Sequence, residues 1–435
     1  WRGNPPVPFS LGRVWRATAG RCCATSESRI VLILYNLRHP IQITGRGRPT
    51  AQPKTDMKSK TLRGWYAVHR WTSLVCTANL LLLCLTGLVL IFHHEIDHLL
   101  AQEPATTKAA SGAPRPSLQR LADVAVAAHP GTAPKSITMF EDEGVPMVGV
   151  RVGAPGVASL REGTSVFMDA TDGSTRALFT GDTFTGFILK LHVNLFLGFA
   201  GQLFIGAVGL VFVLSMLSGI VLYGPFMRKL AFGLVRFGRQ PRIVLADLHN
   251  LTGIVVMVWA LVVGLTGSFL SFSPLIIGLW QKTELTELIR TLPAAAPRRM
   301  APLDQVRRVA DLAVPGKDLA YIFYPGSEYA TQRHYMAVLR GHTEIEKRVF
   351  DIVVVDAETG ELAAQRSMPW YMQVLLLSGP FHFGDYGGLP LKILWALLTL
   401  LTTAATVTGL VIWSRRSKSA IAQIDGTNLS LKEQP

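Results

Sequence analysis

The sequence predicts a membrane α-helical protein: four main transmembrane helices in a tandem duplication, two per half, with two small α+β modules outside the membrane. Three observations predict this fold class. The chain of 435 residues is 49% hydrophobic with a mean hydropathy of +0.31, which is too apolar for an ordinary soluble protein. Its apolar residues are concentrated in four blocks of the length that crosses a bilayer. Its two halves repeat the same spacing of histidines and small residues.

The four apolar blocks are the predicted spans. They are Trp71–Phe92, Leu203–Tyr223, Ile254–Phe272 and Leu389–Trp413. The net charge of +14 is concentrated before the first span, between the second and third, and after the fourth. By the positive-inside rule these segments and both termini are cytoplasmic. The distribution therefore indicates a multi-pass protein whose partner is the lipid bilayer, with no nucleic acid. The run Met57-Lys-Ser-Lys resembles the N-terminus of a bacterial membrane protein, so the expected location is the inner membrane.

Each half is predicted to contain a span, an outside module and a second span. The first repeat is assigned to residues 57–240, with its module at about 100–180. The second repeat is assigned to 241–420, with its module at about 285–368, and 421–435 form a cytoplasmic tail.

Residues 1–56 differ from the rest of the chain because they are rich in Pro, Gly and Arg. They are expected to be a disordered leader or sequence translated upstream of a start at Met57. A cleaved targeting peptide is the alternative.

Both modules show the same order of elements, an amphipathic helix followed by strands and an Asp-to-Gly turn. In the first module these are a helix at Leu118–Ala128, strands at Ser136–Phe140, Met147–Val152 and Ser165–Asp169, and a turn at Asp169–Gly173. In the second they are a helix at Leu303–Ala313, strands at Leu319–Tyr324, His334–Leu339 and Arg348–Asp356, and a turn at Asp356–Gly360.

Two histidines per half lie in or beside the spans with duplicated surroundings. The matching sets are His69, Thr72, Thr86 and Gly87 with His249, Thr252, Thr266 and Gly267, and His192, Gly198, Ser218, Gly219 and Tyr223 with His382, Gly388, Thr408, Gly409 and Trp413. An imidazole at membrane depth is costly and usually functional. Depth along the spans pairs His69 with His249 on the cytoplasmic side, and His192 with His382 on the outer side. The duplicated pairs predict axial ligands for two haems, an arrangement suited to electron transfer.

Other residues near these positions fit the haem hypothesis. The four glycines that follow a Thr or Ser in the repeats would let a macrocycle or a helix approach closely. Arg63, Arg70 and Arg242 flank the inner pair and are predicted partners of haem propionates.

A second histidine cluster leaves the ligand assignment open. His93, His94 and His98 lie at the outer end of the first span, where one could replace His192 or His382 as a ligand, or where they could form an iron site. Interfacial polarity is the alternative interpretation. His129, His334 and His342 are expected on the surface of the modules. Cys76 and Cys84 are too far apart along one helix to bridge readily.

Several short motifs resemble the PepSY-associated transmembrane family. They are His-Arg-Trp (69–71), Leu-His (191–192), Asp-Leu-His-Asn (247–250) and Phe-His-Phe-Gly-Asp-Tyr-Gly-Gly (381–388). The resemblance covers roughly residues 60–416, and the modules resemble PepSY domains. Within the family, the chain looks most like the bacterial inner-membrane siderophore-iron reductases, which carry two b-type haems.

The resemblance implies an oxidoreductase that reduces a ferric siderophore in the periplasm and releases Fe(II). No dinucleotide or flavin motif is found in the sequence, so electrons are expected from quinol or a cytoplasmic donor. The alternatives are a siderophore or metal transporter and a non-redox PepSY binding or regulatory protein. Bound haem would distinguish the reductase from both.

Overall fold

The computed structural model describes residues 59–100, 116–142, 144–160, 162–176, 183–227, 231–290, 292–343 and 345–432. The leader predicted at 1–56 lies outside the described residues. The helices are α1 (Ser59–Ile91), α2 (His93–Leu99), α3 (Leu118–Ala128), α4 (Phe184–Asn194), α5 (Gly198–Met227), α6 (Pro241–Ser271), α7 (Ser273–Trp280), α8 (Thr286–Arg290), α9 (Leu303–Ala313), α10 (Trp370–Phe383) and α11 (Gly388–Lys432). A π-helical turn, Gln281–Leu285, joins α7 to α8, and a 3₁₀ turn covers Glu346–Arg348.

Four of the described helices, α1, α5, α6 and α11, are long and apolar enough to cross a membrane. Each begins before the apolar block that predicts it, and α11 continues beyond the block to Lys432. The helices pack in a ring in which α1 contacts α5, α5 contacts α6, α6 contacts α11, and α11 contacts α1. Helices α1 and α6 therefore face each other across the ring.

The strands form one antiparallel sheet. They are β1 (Ala133–Asp142), β2 (Val145–Gly153), β3 (Thr164–Asp169), β4 (Thr175–Arg176), β5 (Asp318–Phe323), β6 (His334–Arg340), β7 (Phe350–Asp356) and β8 (Leu362–Ser367). Their order is β4-β3-β2-β1-β5-β6-β7-β8. The strands expected in two separate modules are thus joined where β1 pairs with β5, in a register that places Ile137 opposite Ile322.

The two faces of the sheet bury different elements. Helices α3 and α9 cover one face, and Leu121, Ile137 and Val306 lie in the core between them. The other face, over the second-half strands, packs against α7, α8 and α10 through residues such as Trp280 and Met372. Because α10 contacts both this face and α6, the sheet marks one side of the helix bundle. We call it the sheet side, and the opposite side, where Arg236, Arg239 and Arg242 lie, the basic side.

His334 corrects one expectation from the sequence. It was predicted on the module surface, but its side chain is 1% exposed. Strand β6 shows no alternation of buried and exposed residues. Both of its faces are covered, and all residues from His334 to Leu339 are buried. A strand buried on both faces gives no periodic signal that separates inside from outside.

Candidate functional site

The basic-side pair consists of His69 on α1 and His249 on α6. Their rings face each other with centroids 6.3 Å apart and planes inclined by 59°. Nδ1 of His69 donates to the carbonyl of Ser215 at 2.9 Å, and Nδ1 of His249 donates to the carbonyl of Ala405 at 2.8 Å. A carbonyl can only accept, so Nδ1 carries the proton in both rings and Nε2 keeps its lone pair.

The sheet-side pair, His192 on α4 and His382 on α10, repeats this geometry. The ring centroids are again 6.3 Å apart, and the planes are inclined by 61°. Nδ1 of His382 donates to the carbonyl of Val263 at 3.0 Å. Nδ1 of His192 lies 2.8 Å from Oγ1 of Thr86, whose proton is already donated to the carbonyl of Leu82. Thr86 therefore accepts from His192, and Nε2 is the free nitrogen in this pair as well.

Short helices position the sheet-side histidines. Helix α4 begins at a cap where the hydroxyl of Thr183 accepts from the amide of Gly186, and it ends at Leu195 with a left-handed φ of 54°. Helix α10 ends at Gly384 with a φ of 69°. Each left-handed residue stops its helix shortly after the histidine, so that the chain can turn into the next long helix.

Four glycines face the four imidazoles. If each glycine carried a Cβ, that atom would approach Cε1 of the opposing ring as follows: Gly87 to His192 at 3.4 Å, Gly219 to His69 at 3.3 Å, Gly409 to His249 at 3.1 Å, and Gly267 to His382 at 2.7 Å. The hydroxyl residue that precedes each glycine lies within 3.5 Å of Nδ1 of the same histidine. The repeated Thr-Gly and Ser-Gly pairs therefore hold the rings in place by contact and by hydrogen bonding.

The three arginines predicted as propionate partners are exposed. Arg63, Arg70 and Arg242 make no ion pair within the described part of the chain, and the guanidinium of Arg70 lies over the ring of Trp71 at 5.0 Å. Their role toward a cofactor stays a prediction. One contact near this pair was not predicted from the sequence: Arg236 binds the buried Asp247 through two nitrogens at 2.9 and 2.7 Å. An acid two residues before His249 in an otherwise apolar helix was the available signal.

The cluster at the end of the first span is divided between two environments. The rings of His93 and His94 are 4.1 Å apart, and Nδ1 of His93 donates to the carbonyl of Leu90. Asp97 is buried and accepts from Thr185. Among the described residues no group of three or more His, Cys, Asp or Glu side chains could hold a metal ion. The side chain of His98 lies outside the described part.

An ion pair links the two halves beside this cluster. Nζ of Lys392 on α11 lies 2.7 Å from a carboxylate oxygen of Glu95 on α2. The hydrogen bond from Lys392 holds the pKa of the Glu95 carboxyl below its usual value. Glu95 is about half exposed, so the pair contributes little to stability.

Comparison with known proteins gives the family. The model of the PepSY-associated TM region matches residues 66–416. The chain belongs to this family. It is also 37% identical over 81 residues to an uncharacterized protein of Pseudomonas aeruginosa, PA4219. That match covers 19% of this chain and 20% of the relative's length, so the relative supports kinship of a segment only. The family match confirms the resemblance drawn from the motifs around the four histidines.

Proposed function

We propose that this protein is a transmembrane oxidoreductase that carries electrons through two b-type haems and reduces a ferric siderophore in the periplasm of a bacterium. The observation that carries the proposal is the pair of facing imidazoles, present once on each side of the bundle. In all four rings Nδ1 is occupied by a hydrogen bond, and no described residue binds Nε2. This is the state of a histidine that binds a metal through Nε2.

The separation of the rings fits an iron placed between them. A metal–imidazole bond is about 2 Å and the ring centroid lies about 1 Å beyond the nitrogen, so two rings on opposite sides of one metal have centroids about 6 Å apart. Both pairs have centroids 6.3 Å apart. Without a metal between them, two neutral imidazoles at this distance would gain little from facing each other.

Two protein ligands suit haem better than a bare metal ion. A free zinc or iron ion is usually held by three or four protein side chains, whereas haem iron already has four ring nitrogens and needs only axial ligands. No further His, Cys, Asp or Glu completes either pair within the described residues. The small residues facing the rings, Gly87, Gly219, Gly267 and Gly409, leave room for the imidazoles beside the helix backbones.

When bound, haem with two imidazole ligands supplies one-electron transfer and leaves no open position for oxygen. The residues of this chain hold and orient the ligands. Each pair takes one histidine from each half, which supports a tandem duplication whose halves build the two sites jointly. The two sites lie on opposite sides of the bundle, an arrangement suited to moving electrons across the membrane.

We propose that the sheet side is the periplasmic side and that the sheet consists of two PepSY modules. The basic side would then be cytoplasmic, in agreement with the positive-inside rule. Electrons would enter there from a quinol or a cytoplasmic donor. Near His382 the surface carries Phe381 and Tyr386, which are 43% and 41% exposed, and this aromatic patch is a candidate contact for the ferric chelate. Adding one electron to Fe(III) weakens its bonds to hard oxygen ligands and so releases Fe(II).

The test is an anaerobic oxidation experiment on the purified protein. After reduction by dithionite and removal of the excess, the protein is mixed with a ferric hydroxamate siderophore, and the haem bands and Fe(II) capture by ferrozine are followed together. We expect low-spin b-type bands that reoxidise while Fe(II) appears. The gallium form of the same siderophore is the control, because Ga(III) has similar charge and size but accepts no electron. Bands that stay reduced with the ferric chelate would contradict the reductase activity.

A further inference from the structure

Two tryptophans lie, along the helix axes, at depths between those of the two histidine pairs. Trp259 lies on α6 and Trp395 on α11, and their rings meet edge to face with centroids 6.3 Å apart and planes inclined by 87°. The indole nitrogens of both residues are buried and have no hydrogen-bond partner among the described residues. The ring of Trp395 also meets that of Tyr386, with centroids 6.3 Å apart. A continuous row of aromatic rings therefore leads from the sheet-side surface into the bundle.

Helix geometry gives the depth of this row. A helix rises about 1.5 Å per residue, so Trp259 lies about 15 Å beyond His249 and about 10 Å before Thr266, whose hydroxyl faces His382. Trp395 precedes Gly409, which faces His249, by 14 residues, or about 21 Å along α11. Both indoles thus lie in the interval that an electron must cross between the basic-side and sheet-side pairs.

The two tryptophans have no aromatic counterparts at the equivalent positions of the first half. The offset of 180 residues that relates His69 to His249 places Asn79 opposite Trp259, and the offset of 190 that relates His192 to His382 places Ile205 opposite Trp395. The ligands, the hydroxyl residues and the facing glycines match between the halves, whereas these two positions do not. The two tryptophans are therefore not part of the duplicated set of residues that holds the histidines.

Packing alone does not explain the choice of tryptophan. No hydrogen bond to a described residue accounts for either indole N–H. Leucine or phenylalanine would also fill apolar space between helices. What tryptophan adds is an extended π system, whose orbitals offer a tunnelling electron a lower barrier than aliphatic side chains do.

We propose that Trp259 and Trp395 form the route by which electrons pass between the two histidine pairs, so that transfer runs along the α6–α11 side of the bundle. The inference rests on the proposed function. With haem iron bound at both pairs, each transfer would take one electron from the basic-side iron, Fe(II) to Fe(III), and give it to the sheet-side iron, Fe(III) to Fe(II). Both indoles keep their oxidation state, and no proton moves.

The test measures transfer between the sites in proteoliposomes. Reduced protein is mixed rapidly with ferricyanide, a small oxidant that does not cross the bilayer. In molecules whose sheet side faces outward, oxidation of the haems is followed over time by the change in their absorption bands. The sheet-side site should oxidise first and the basic-side site afterwards, at a rate limited by the internal transfer. Trp259→Leu and Trp395→Leu should slow this second phase by about tenfold or more, because the electronic coupling between the two sites is weakened. Trp259→Phe and Trp395→Phe should slow it less.

Controls separate this inference from changes in driving force and from the proposed function. Trp370→Leu removes an exposed tryptophan at the start of α10, and it should leave both phases unchanged. Potentiometric titration should give unaltered midpoint potentials for every variant. An unchanged second phase in both leucine variants that retain both haems would overturn the route. Ferricyanide replaces the siderophore, so failure of siderophore reduction would not affect this result, whereas a protein without haem would overturn both proposals.

Discussion

At the scale of single residues, the four histidines are held by two kinds of contact. One is a carbonyl or hydroxyl acceptor at Nδ1, and the other is a glycine whose missing side chain leaves room for the ring. The acceptor fixes which nitrogen is protonated, and the glycine allows the ring to lie against the neighbouring helix. Together they orient each imidazole before any ligand binds, which lowers the entropic cost of binding.

Replacing one histidine of the sheet-side pair should remove one site and spare the other. His382→Ala deletes a ligand whose ring faces His192, while His69 and His249 remain in place on the basic side. We expect the low-spin haem content to fall by about half, measured by the reduced-minus-oxidised spectrum and a pyridine haemochrome assay.

The matched control is His342→Ala, because the His342 side chain is 62% exposed and its ring pairs with Asp318 on the sheet. Its haem content should equal that of the unmodified protein. Complete loss of haem in His382→Ala, with the protein still folded, would contradict independent sites.

Gly267 offers a gentler test of the same site. A Cβ there would lie 2.7 Å from Cε1 of His382, closer than two carbon atoms approach without displacement. Gly267→Ala should therefore shift the imidazole, weaken its hydrogen bond to Val263 and lower occupancy or midpoint potential of the sheet-side haem. Redox titration followed at the haem bands measures this.

Gly278→Ala is the control for this substitution, since Gly278 lies on α7, away from the four histidines, and a Cβ there would meet nothing within 4 Å. It should leave the spectrum and potentials unchanged. Equal effects of the two substitutions would indicate a general effect of replacing a helical glycine instead of contact with His382.

At the scale of elements, much of the fold could be predicted because the periodic signals are strong. The amphipathic helices Leu118–Ala128 and Leu303–Ala313 are confirmed at both ends, and the spans follow from long apolar blocks. The helices α4 and α10 were missed as separate elements. Both are apolar on nearly all sides, so neither shows a period, and only tertiary contact with α1 and α6 distinguishes them from the spans that follow.

The site was predictable to a similar degree. Duplication and depth gave the pairing of His69 with His249 and of His192 with His382, and the structure brings both pairs together. The contact between Arg236 and Asp247 was not predictable, because it depends on how the loop before α6 folds back. The pairing of β1 with β5, which joins the two sets of strands into one sheet, was not predictable either. Hydrophobic alternation does not identify which strand lies next to another.

The sheet should lose stability when the pH falls from neutral to mildly acidic. Burial lowers the pKa of His334 below its ordinary value, with Asp356 raising it and Arg333 lowering it further. In the unfolded chain His334 therefore binds a proton near pH 6.5, whereas in the folded sheet it stays neutral at that pH. The free energy of unfolding is therefore highest above that pH. It decreases as the pH falls from 6.5 towards the lower pKa that His334 has in the folded sheet. Hydrogen exchange of the β6 amides at pH 7.5 and pH 5.5 measures the change.

His334→Gln should reduce this difference between the two pH values, because glutamine does not titrate. His342→Gln replaces an exposed histidine just after the end of β6. It should leave the difference in hydrogen exchange between the two pH values as it is in the unmodified protein. A pH dependence that is the same in all three proteins would show that other groups are responsible.

At the scale of the whole molecule, both sites lie between the halves of the chain. Helices α1 and α5 belong to the first half and α6 and α11 to the second, and each histidine pair crosses from one half to the other. The sheet is shared in the same way through β1 and β5. Neither half contains a complete pair, so we expect binding of haem to stabilise the association of the halves as well as each site.

The pairing across the halves is the central claim, and two double variants test it most directly. His69→Ala/His249→Ala removes both members of one pair, whereas His69→Ala/His192→Ala removes one member from each pair, so the same number of histidines is lost. The measurement is the amount of low-spin b-type haem per purified chain. The account predicts about half the normal content in the first variant and essentially none in the second. Equal content in the two variants, or a second variant that keeps one low-spin haem, would contradict it.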